Sequence, residues 1–273
     1  MPNSVDRLIT RLNLEASGPS SFVGGAGLAG QGMKGRLFGG LVAAQAFVAA
    51  ARTVNVGPVH SLHLYFLRPG RSGLPIQYEV ETIKQGRNFQ ARQVRAIQDG
   101  QLIFQMMASF SLNTEGVTHQ DPMPNVMAPE ALPNRDQARG KPGWEEQPID
   151  LRTDDPSGDR EAPDHWIWMR PMQPILADAV MHTAALVFAT DRAFIRTAAL
   201  PHADAGDFAG ASLDHTIWFH GPIDFTDWHL HTMHSPVARH ERGLVFGAIY
   251  QADGTRVATT AQEGAMRFVQ STA

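Results

Sequence analysis

The chain of 273 residues is long enough for two compact domains or one larger one, and its 43% hydrophobic content supplies a core, which excludes disorder for most of it. Its 23 lysines and arginines against 27 aspartates and glutamates leave a formal charge of −4, so the chain as a whole offers nucleic acid or an anionic membrane no general attraction. With no cysteine, disulfides, thiolate metal sites and a thiol nucleophile are excluded together, and chemistry falls to oxygen and imidazole groups.

The amino terminus, with Asp6, Arg7 and Arg11 among polar residues, has no apolar core of the signal-peptide kind. The longest nearly apolar stretch, Leu41 to Ala51, is interrupted by Gln45 and falls short of the roughly 20 residues that cross a bilayer. The expectation is an intracellular protein without stable membrane insertion. Gly39 and Gly40 lead into LVAAQAFVAAARTV, whose alanines and mixed apolar positions predict a helix packed on both sides. Strands rich in β-branched and aromatic residues follow: HSLHLYFL from His60, PIQYEVETI from Pro75, FQARQVRAI from Phe89 and QLIFQMMASF from Gln101. The last two flank Gln98-Asp99-Gly100, and Asp-Gly between alternating segments signals a hairpin because both residues tolerate positive φ. Residues 1–112 thus read as one helix followed by an antiparallel meander.

Eight of the 18 prolines fall between Asn113 and Pro163, where apolar periodicity also fades, so 113–163 reads as a linker between two units. Over 164–273 the order recurs: DHWIWM from Asp164, a helical stretch from Ile175 to about Ala189, then SLDHTIWFH, WHLHTMHSPVA, GLVFGAIYQ and TRVATTAQEG. His63 and Phe66 match His215 and Trp218 at a shift of 152, and Asp99-Gly100 matches Asp253-Gly254 at a shift of 154. A duplicated unit is inferred. A sheet with one apolar face must cover it, and each half offers one apolar helix to do so. Two such units joined edge to edge give an α+β double hotdog, one continuous sheet around two central helices.

The second half carries His215, His220, His229, His231, His234 and His240. Alternation puts His229 and His231 on one strand face, but no third ligand follows at a recognisable spacing and HExxH is absent. Polar sheet surface and pH-sensitive contacts are the expected roles, without a metal.

Taken together, LFGGLVAAQAF at Leu37, VHSLHLYFLRPG at Val59, QGRNFQARQVRAIQDGQLIFQMMASF at Gln85, LDHTIWFHGP at Leu213 and ATTAQEGAMR at Ala258 resemble the acyl-CoA thioesterase II family. The resemblance implies a double hotdog that hydrolyses fatty or related acyl-CoA to the free acid and CoA, needs no metal or organic cofactor, and assembles as a homo-oligomer. It also implies a water held by Asp191 in VFATDRAF, Ser212 in GASLDHTIWFH and Gln262 in TTAQEGAM. Leu41 departs from the pattern, since relatives often carry Gln after FGG. Of the three groups only Asp191 accepts a proton at neutral pH, so it is the expected general base, with Ser212 and Gln262 orienting the water. Backbone N–H groups at a helix start are free and carry partial positive charge, which makes Gly39 and Gly40 candidates to bind the thioester oxygen; close helix packing is their other reading. Arg68 and Arg87, in matching loops, are candidate partners of the CoA phosphates. Acyl-CoA is the expected partner and nucleic acid is not. The terminal Ser271-Thr272-Ala273 is no SKL-type signal, which leaves the cytoplasm as the expected location.

Three rivals remain open at this level. Gly210-Ala211-Ser212 could be a degraded nucleophile elbow, although Asp214 stands where glycine is needed. Asp159 and His165 could form the acid/base pair of a hotdog enoyl-CoA hydratase. The fold could also bind acyl-CoA without turning it over.

Overall fold

The computed structural model describes residues 2–25, 35–112, 115–159 and 161–270, which leaves Asn113 at the head of the linker and the terminal Ser271-Thr272-Ala273 outside the described residues. The chain opens with two features absent from the sequence reading. Helix α1, Ser4–Leu12, starts at a capping box in which the Asn3 side chain accepts from the Asp6 N–H and the Asp6 carboxylate accepts from the Asn3 N–H. It buries Val5, Leu8 and Leu12 along one stripe. A short hairpin of β1, Glu15–Gly18, and β2, Ser21–Gly24, follows.

Helix α2, Gly39–Ala51, then runs through the interior with Gly40 to Ala50 all buried. Small alanines let neighbouring elements approach it from every side, and each buried Leu, Val or Phe contributes about 1.5–3 kcal/mol. Its one polar interior residue, Gln45, is fully used: Tyr78 Oη donates to Gln45 Oε1 at 2.7 Å, and Gln45 Nε2 donates to the Arg11 carbonyl at 2.6 Å. That second bond ties the end of α1 to α2. Strands β3 (Val59–Phe66), β4 (Ile76–Gln85), β5 (Phe89–Gln98) and β6 (Gln101–Ser111) match the expected segments. Asp99 and Gly100 turn β5 into β6 with φ of 51° and 72°, the left-handed pair a two-residue hairpin needs.

Residues of the proline-rich stretch do more than link. After 3₁₀ turns they form a one-turn helix α3, Arg135–Ala138, and a strand β7, Ile149–Arg152. Asn134 caps α3 by accepting from the N–H groups of Asp136 and Gln137, and its Nδ2 donates to Asp150 at 2.7 Å. Leu132 packs with Trp168, Trp228, Leu230 and Tyr250 in a small cluster separate from the main core. Those apolar anchors are scattered among prolines rather than periodic, which hid them.

The second half supplies β8 (Asp164–Pro171), helix α4 (Ala179–Thr190), a run of 3₁₀ turns over Ile195–Ala205, β9 (Asp207–Phe208), β10 (Ala211–Ser212), β11 (Asp214–Phe219), β12 (His229–Arg239), β13 (Arg242–Gln251), β14 (Arg256–Ala265) and β15 (Phe268–Val269). Among the described residues, thirteen strands form one sheet in the order β1-β2-β4-β5-β6-β3-β11-β14-β13-β12-β8-β7, with β10 on β14, while β9 pairs with β15. The order reads the same from both ends, strand type for strand type, so the fold is the expected double hotdog. In each half the first long strand after the central helix, β3 or β11, lies at the junction: β3 pairs with β6 and not β4, so the four-strand meander of the sequence reading is corrected to a meander of β4, β5 and β6 flanked by β3.

The halves join where β3 and β11 run antiparallel, Leu64 opposite His215 and Leu62 opposite Ile217. This register also corrects the internal match at a shift of 152. His63 is exposed on the outer face whereas His215 is buried, so an even shift pairs opposite faces of the sheet; the architecture is duplicated, but those residues are not equivalent.

Candidate active site

Helices α2 and α4 pack with the N-terminus of α2 against the C-terminus of α4. A Cβ on Gly40 would lie 2.6 Å from the Phe188 carbonyl oxygen, so glycine permits the approach. Asp191 is the residue at which α4 ends, and the Gly40 N–H donates to its Oδ2 at 2.8 Å. Asp191 thus faces the favourable pole of the neighbouring helix while sitting at the unfavourable pole of its own. Gly39 lies alongside, where a Cβ would come within 3.0 Å of Asp191 Oδ2. The expectation that both glycine N–H groups await a thioester oxygen is therefore corrected: that of Gly40 is engaged by Asp191.

Ser212 and Gln262 reach the same carboxylate from the sheet. Strand β10 pairs with the end of β14, Ser212 opposite Gly264, which sets the Ser212 hydroxyl near enough to Asp191 to favour its ionised form. From β14, Gln262 Nε2 donates to Asp191 Oδ1 at 3.0 Å, while Gln262 Oε1 is buried without a hydrogen-bond partner among the described residues. The three residues named from sequence are thus in one place. Desolvation pushes the Asp191 carboxyl up to about 6, against the opposing pull of Gln262, Gly40 and Ser212 and of the Arg192 charge. A carboxylate so placed is mostly ionised at neutral pH yet more basic than an ordinary one.

Behind it the chain is locked. Ala193 takes a left-handed φ of 76°, a conformation that costs a non-glycine residue about 1 kcal/mol or more, and it turns the chain between Arg192 and the buried Phe194. Phe194 stacks on His231 at 5.0 Å and meets His215 edge-on at 5.5 Å. His215 Nε2 bonds Thr190 Oγ1 and His231 Nε2 bonds Thr260 Oγ1, both at 3.0 Å. Burial pushes both imidazoles down to about 3, so they are neutral at physiological pH. This corrects the expected surface and pH-sensitive role of His215, His229 and His231, all of which are buried. Among the described residues no group of three or more His, Asp or Glu side chains could hold a metal ion.

Asp191 opens into a cavity of about 640 Å³. Phe38, Leu41 and Phe188 line it, so the departure at Leu41 gives an apolar wall. The rest is strongly cationic, including Arg192, which α3 and the stretch after it hold through Asp136 at 3.3 Å and Gln147 at 3.4 Å. Arg68 and Arg87 do not line this cavity; Arg68 instead donates to the Leu102 carbonyl, and Arg87 is exposed in the turn between β4 and β5. Of the cavity's arginines, Arg7, Arg11, Arg135 and Arg139 lie in α1 and in the segment that reads as a linker, where no local pattern marks a site. The signal present was Arg135, Arg139 and Lys141 within seven residues.

The rival arrangements fare differently. Ser212 lies in a strand and a second strand follows it, where a nucleophile elbow needs a helix. Asp159 and His165 line two adjoining cavities, and neither lines the cavity at Asp191.

Residues 143–265 match the family model described as acyl-CoA thioesterase, and residues 29–111 match that described as acyl-CoA thioesterase N-terminal domain. Acyl-CoA thioesterase 2 of Haemophilus influenzae is 38% identical over 252 residues, covering 85% of this chain and 88% of that protein. Among solved structures, acyl-CoA thioesterase II TesB2 from Mycobacterium marinum superposes with a TM-score of 0.82 at 34% identity over 96% of this chain and 98% of that one. The tesB protein of Mycobacterium avium subsp. paratuberculosis does so with a TM-score of 0.84 at 29% identity over 97% of this chain and all of that one. Likeness of this extent, in both halves of the sequence and along the whole doubled fold, means that the chain belongs to the acyl-CoA thioesterase family.

Proposed function

We propose that the chain hydrolyses fatty or related acyl-CoA thioesters to the free acid and CoA, with water as nucleophile, Asp191 as its base, and Ser212 and Gln262 as the groups that orient it. One observation carries the reading: a basic carboxylate lining a cavity, bonded from the sheet by Gln262 with Ser212 close by, and with the buried acceptor Gln262 Oε1 beside it. A water donating one hydrogen to Asp191 and the other to Gln262 presents a lone pair to a thioester carbonyl lying against Phe38 and Phe188. Its oxygen bonds the carbonyl carbon as its proton passes to Asp191. The tetrahedral intermediate then expels the CoA sulfur, the C–S bond breaks, and Asp191 returns the proton to the thiolate.

Two physical effects make this sufficient. A thiolate leaves with a pKa near 8.5, so strong acid assistance is unnecessary. Fixing the water in place can remove roughly 7–11 kcal/mol of barrier in favourable cases. The developing oxyanion belongs at the N-terminus of α2, where Gly39 adjoins Asp191 and the helix presents its positive pole. Self-association is part of the same reading: Tyr65, Met107 and Trp218 are exposed on the outer face beside the junction, an apolar surface that a second chain could cover. Among the described residues no helix is long and apolar enough to cross a membrane.

The test is thiol release from acyl-CoAs of increasing chain length, read with a thiol-reactive dye to which this cysteine-free chain contributes no background. Release that is lost in Asp191→Asn and Gln262→Ala supports the reading. Hydration of an enoyl-CoA without thiol release would favour the hydratase instead, and ligand-induced stabilisation without turnover would favour a binding protein.

A further inference from the structure

The cavity at Asp191 collects seven of the chain's 23 lysines and arginines. Arg7 and Arg11 come from one face of α1, four residues apart. Arg135, Arg139 and Lys141 come from α3 and the turn after it, Arg192 from the turn after α4, and Arg196 from the 3₁₀ run that follows. Glu146 and Asp191 are the carboxylates that line the cavity with them. Asp136, just behind, is shared by Arg135, Lys141 and Arg192 at 3.4, 3.5 and 3.3 Å. Asp155 and Asp159 offset part of the Arg139 charge from the other side. In a chain of net charge −4, this is a local reversal of sign.

Holding these cations together is unfavourable. Desolvation first, and then a neighbouring cation, keeps Arg11, Arg135 and Arg139 below their ordinary values: Arg7 acts on Arg11, Arg192 on Arg135 and Arg196 on Arg139, with Arg135 pushed down to about 9. Arg11 Nη1 and Arg135 Nε are buried and have no hydrogen-bond partner among the described residues. Buried donors in native proteins are nearly always satisfied, so an acceptor that arrives with a ligand is the expected complement. The cation set is mainly arginine, whose planar fork matches phosphate oxygens in pairs.

We infer that this cationic wall seats the 3′-phosphate and diphosphate of CoA, so that α1 and the segment around α3 hold the nucleotide end of the substrate while its thioester lies at Asp191. The inference rests on the thioesterase reading for its choice of ligand. The cavity has the matching polarity at both ends: Phe38, Leu41 and Phe188 beside Asp191 suit the thioester and the root of the acyl chain, and the arginines suit the phosphates. Two parts of the chain that look like an appendage and a linker thereby become the substrate-recognition elements. The role expected of Arg68 and Arg87 passes to Arg7, Arg11, Arg135 and Arg139.

Calorimetric titration of the wild-type chain with free CoA and with pantetheine, which lacks the phosphates, tests this without requiring turnover. CoA is expected to bind at least about tenfold tighter than pantetheine, and the difference should shrink as salt is raised. Arg11→Gln and Arg139→Gln should each weaken CoA about tenfold and leave the two ligands closer in affinity, while Arg95→Gln, on the sheet far from the cavity lining, should not. Circular dichroism of each variant separates this loss from unfolding, and the two sites lie in different segments, so failure of one variant to fold leaves the other to decide. Equal affinity of the wild type for CoA and pantetheine, or CoA affinity unmoved by both arginine variants, overturns the inference. Hydrolysis of acyl-pantetheine that needs Asp191 but shows no preference for acyl-CoA would overturn it while leaving the thioesterase reading intact; tight, phosphate-dependent CoA binding without hydrolysis would do the reverse.

Discussion

At the C-terminal end of α2 the first hotdog buries Arg92, whose guanidinium donates at 2.6–3.0 Å to Thr53 Oγ1, the carbonyls of Thr53, Lys84 and Ala91, and Gln85 Oε1. At the C-terminal end of α4 the second hotdog holds Asp191 between Gly40, Ser212 and Gln262, with an acceptor left over on Gln262 and a cavity in front. Stepping along matching strands, Ala108 opposite Arg92 occupies the place of Gln262 opposite Val245. One fold thus carries two ends of opposite kind. The first is a polar network closed upon itself, in which every guanidinium nitrogen of Arg92 has an acceptor. The second is open, and its carboxylate is held where desolvation makes it both more basic and less favourable for folding. On the proposed reading, the second half gives up some stability for chemistry that the first half does not carry.

The comparison breaks first at Asp191. Asp191→Asn should lower turnover 100-fold or more, the low end of acid/base contributions, with ligand affinity largely retained. The same variant should be the more stable protein at neutral pH. The folded carboxyl titrates at about 6, above its ordinary value of 3.8, so wild-type stability falls as pH rises from about 4 through 6. Linkage bounds that loss at about 3 kcal/mol at pH 7, and denaturant melts of wild type and variant should converge near pH 4. At the other end, Arg92→Ala leaves buried acceptors without donors and should destabilise by about 2 kcal/mol in urea unfolding while kcat stays near wild type. A loss of activity with intact stability there would mean that the first hotdog also takes part in the chemistry. Ser212→Ala should cost about tenfold in kcat, one charge-assisted hydrogen bond. Ser212→Thr, which keeps the hydroxyl, should stay within a few-fold of wild type, and equal rates for the two variants would remove the hydroxyl from the mechanism.

Most of the fold was legible because each long strand alternates and each central helix is apolar all round, signals that survive without neighbours. Asp191, Ser212 and Gln262 were legible only through whole motifs, since an Asp ending a helix or a Gln in a strand has no signature alone. What was not legible depends on side chains meeting across long separations. The partner of Gly40 lies 151 residues away. The strand order that sets β3 beside β6, and the face on which His215 lies, follow from register, which one step reverses. Arg7, Arg11 and the Arg135–Lys141 group become a site only when α1 and α3 dock beside α4, and no local pattern announces that docking.

The most direct test of the central claim is the pH dependence of kcat/KM for one acyl-CoA between pH 4.5 and 8.5 in wild type and Ser212→Ala, since this follows the base in the free enzyme. The wild-type rate should rise about tenfold per pH unit on the acid side, level off above about pH 6, and move its midpoint upward in Ser212→Ala, because a hydroxyl that favours the carboxylate has been removed. A profile that is flat across this range in a folded protein, or a midpoint that the variant leaves where it was, would contradict Asp191 as the base that activates the water.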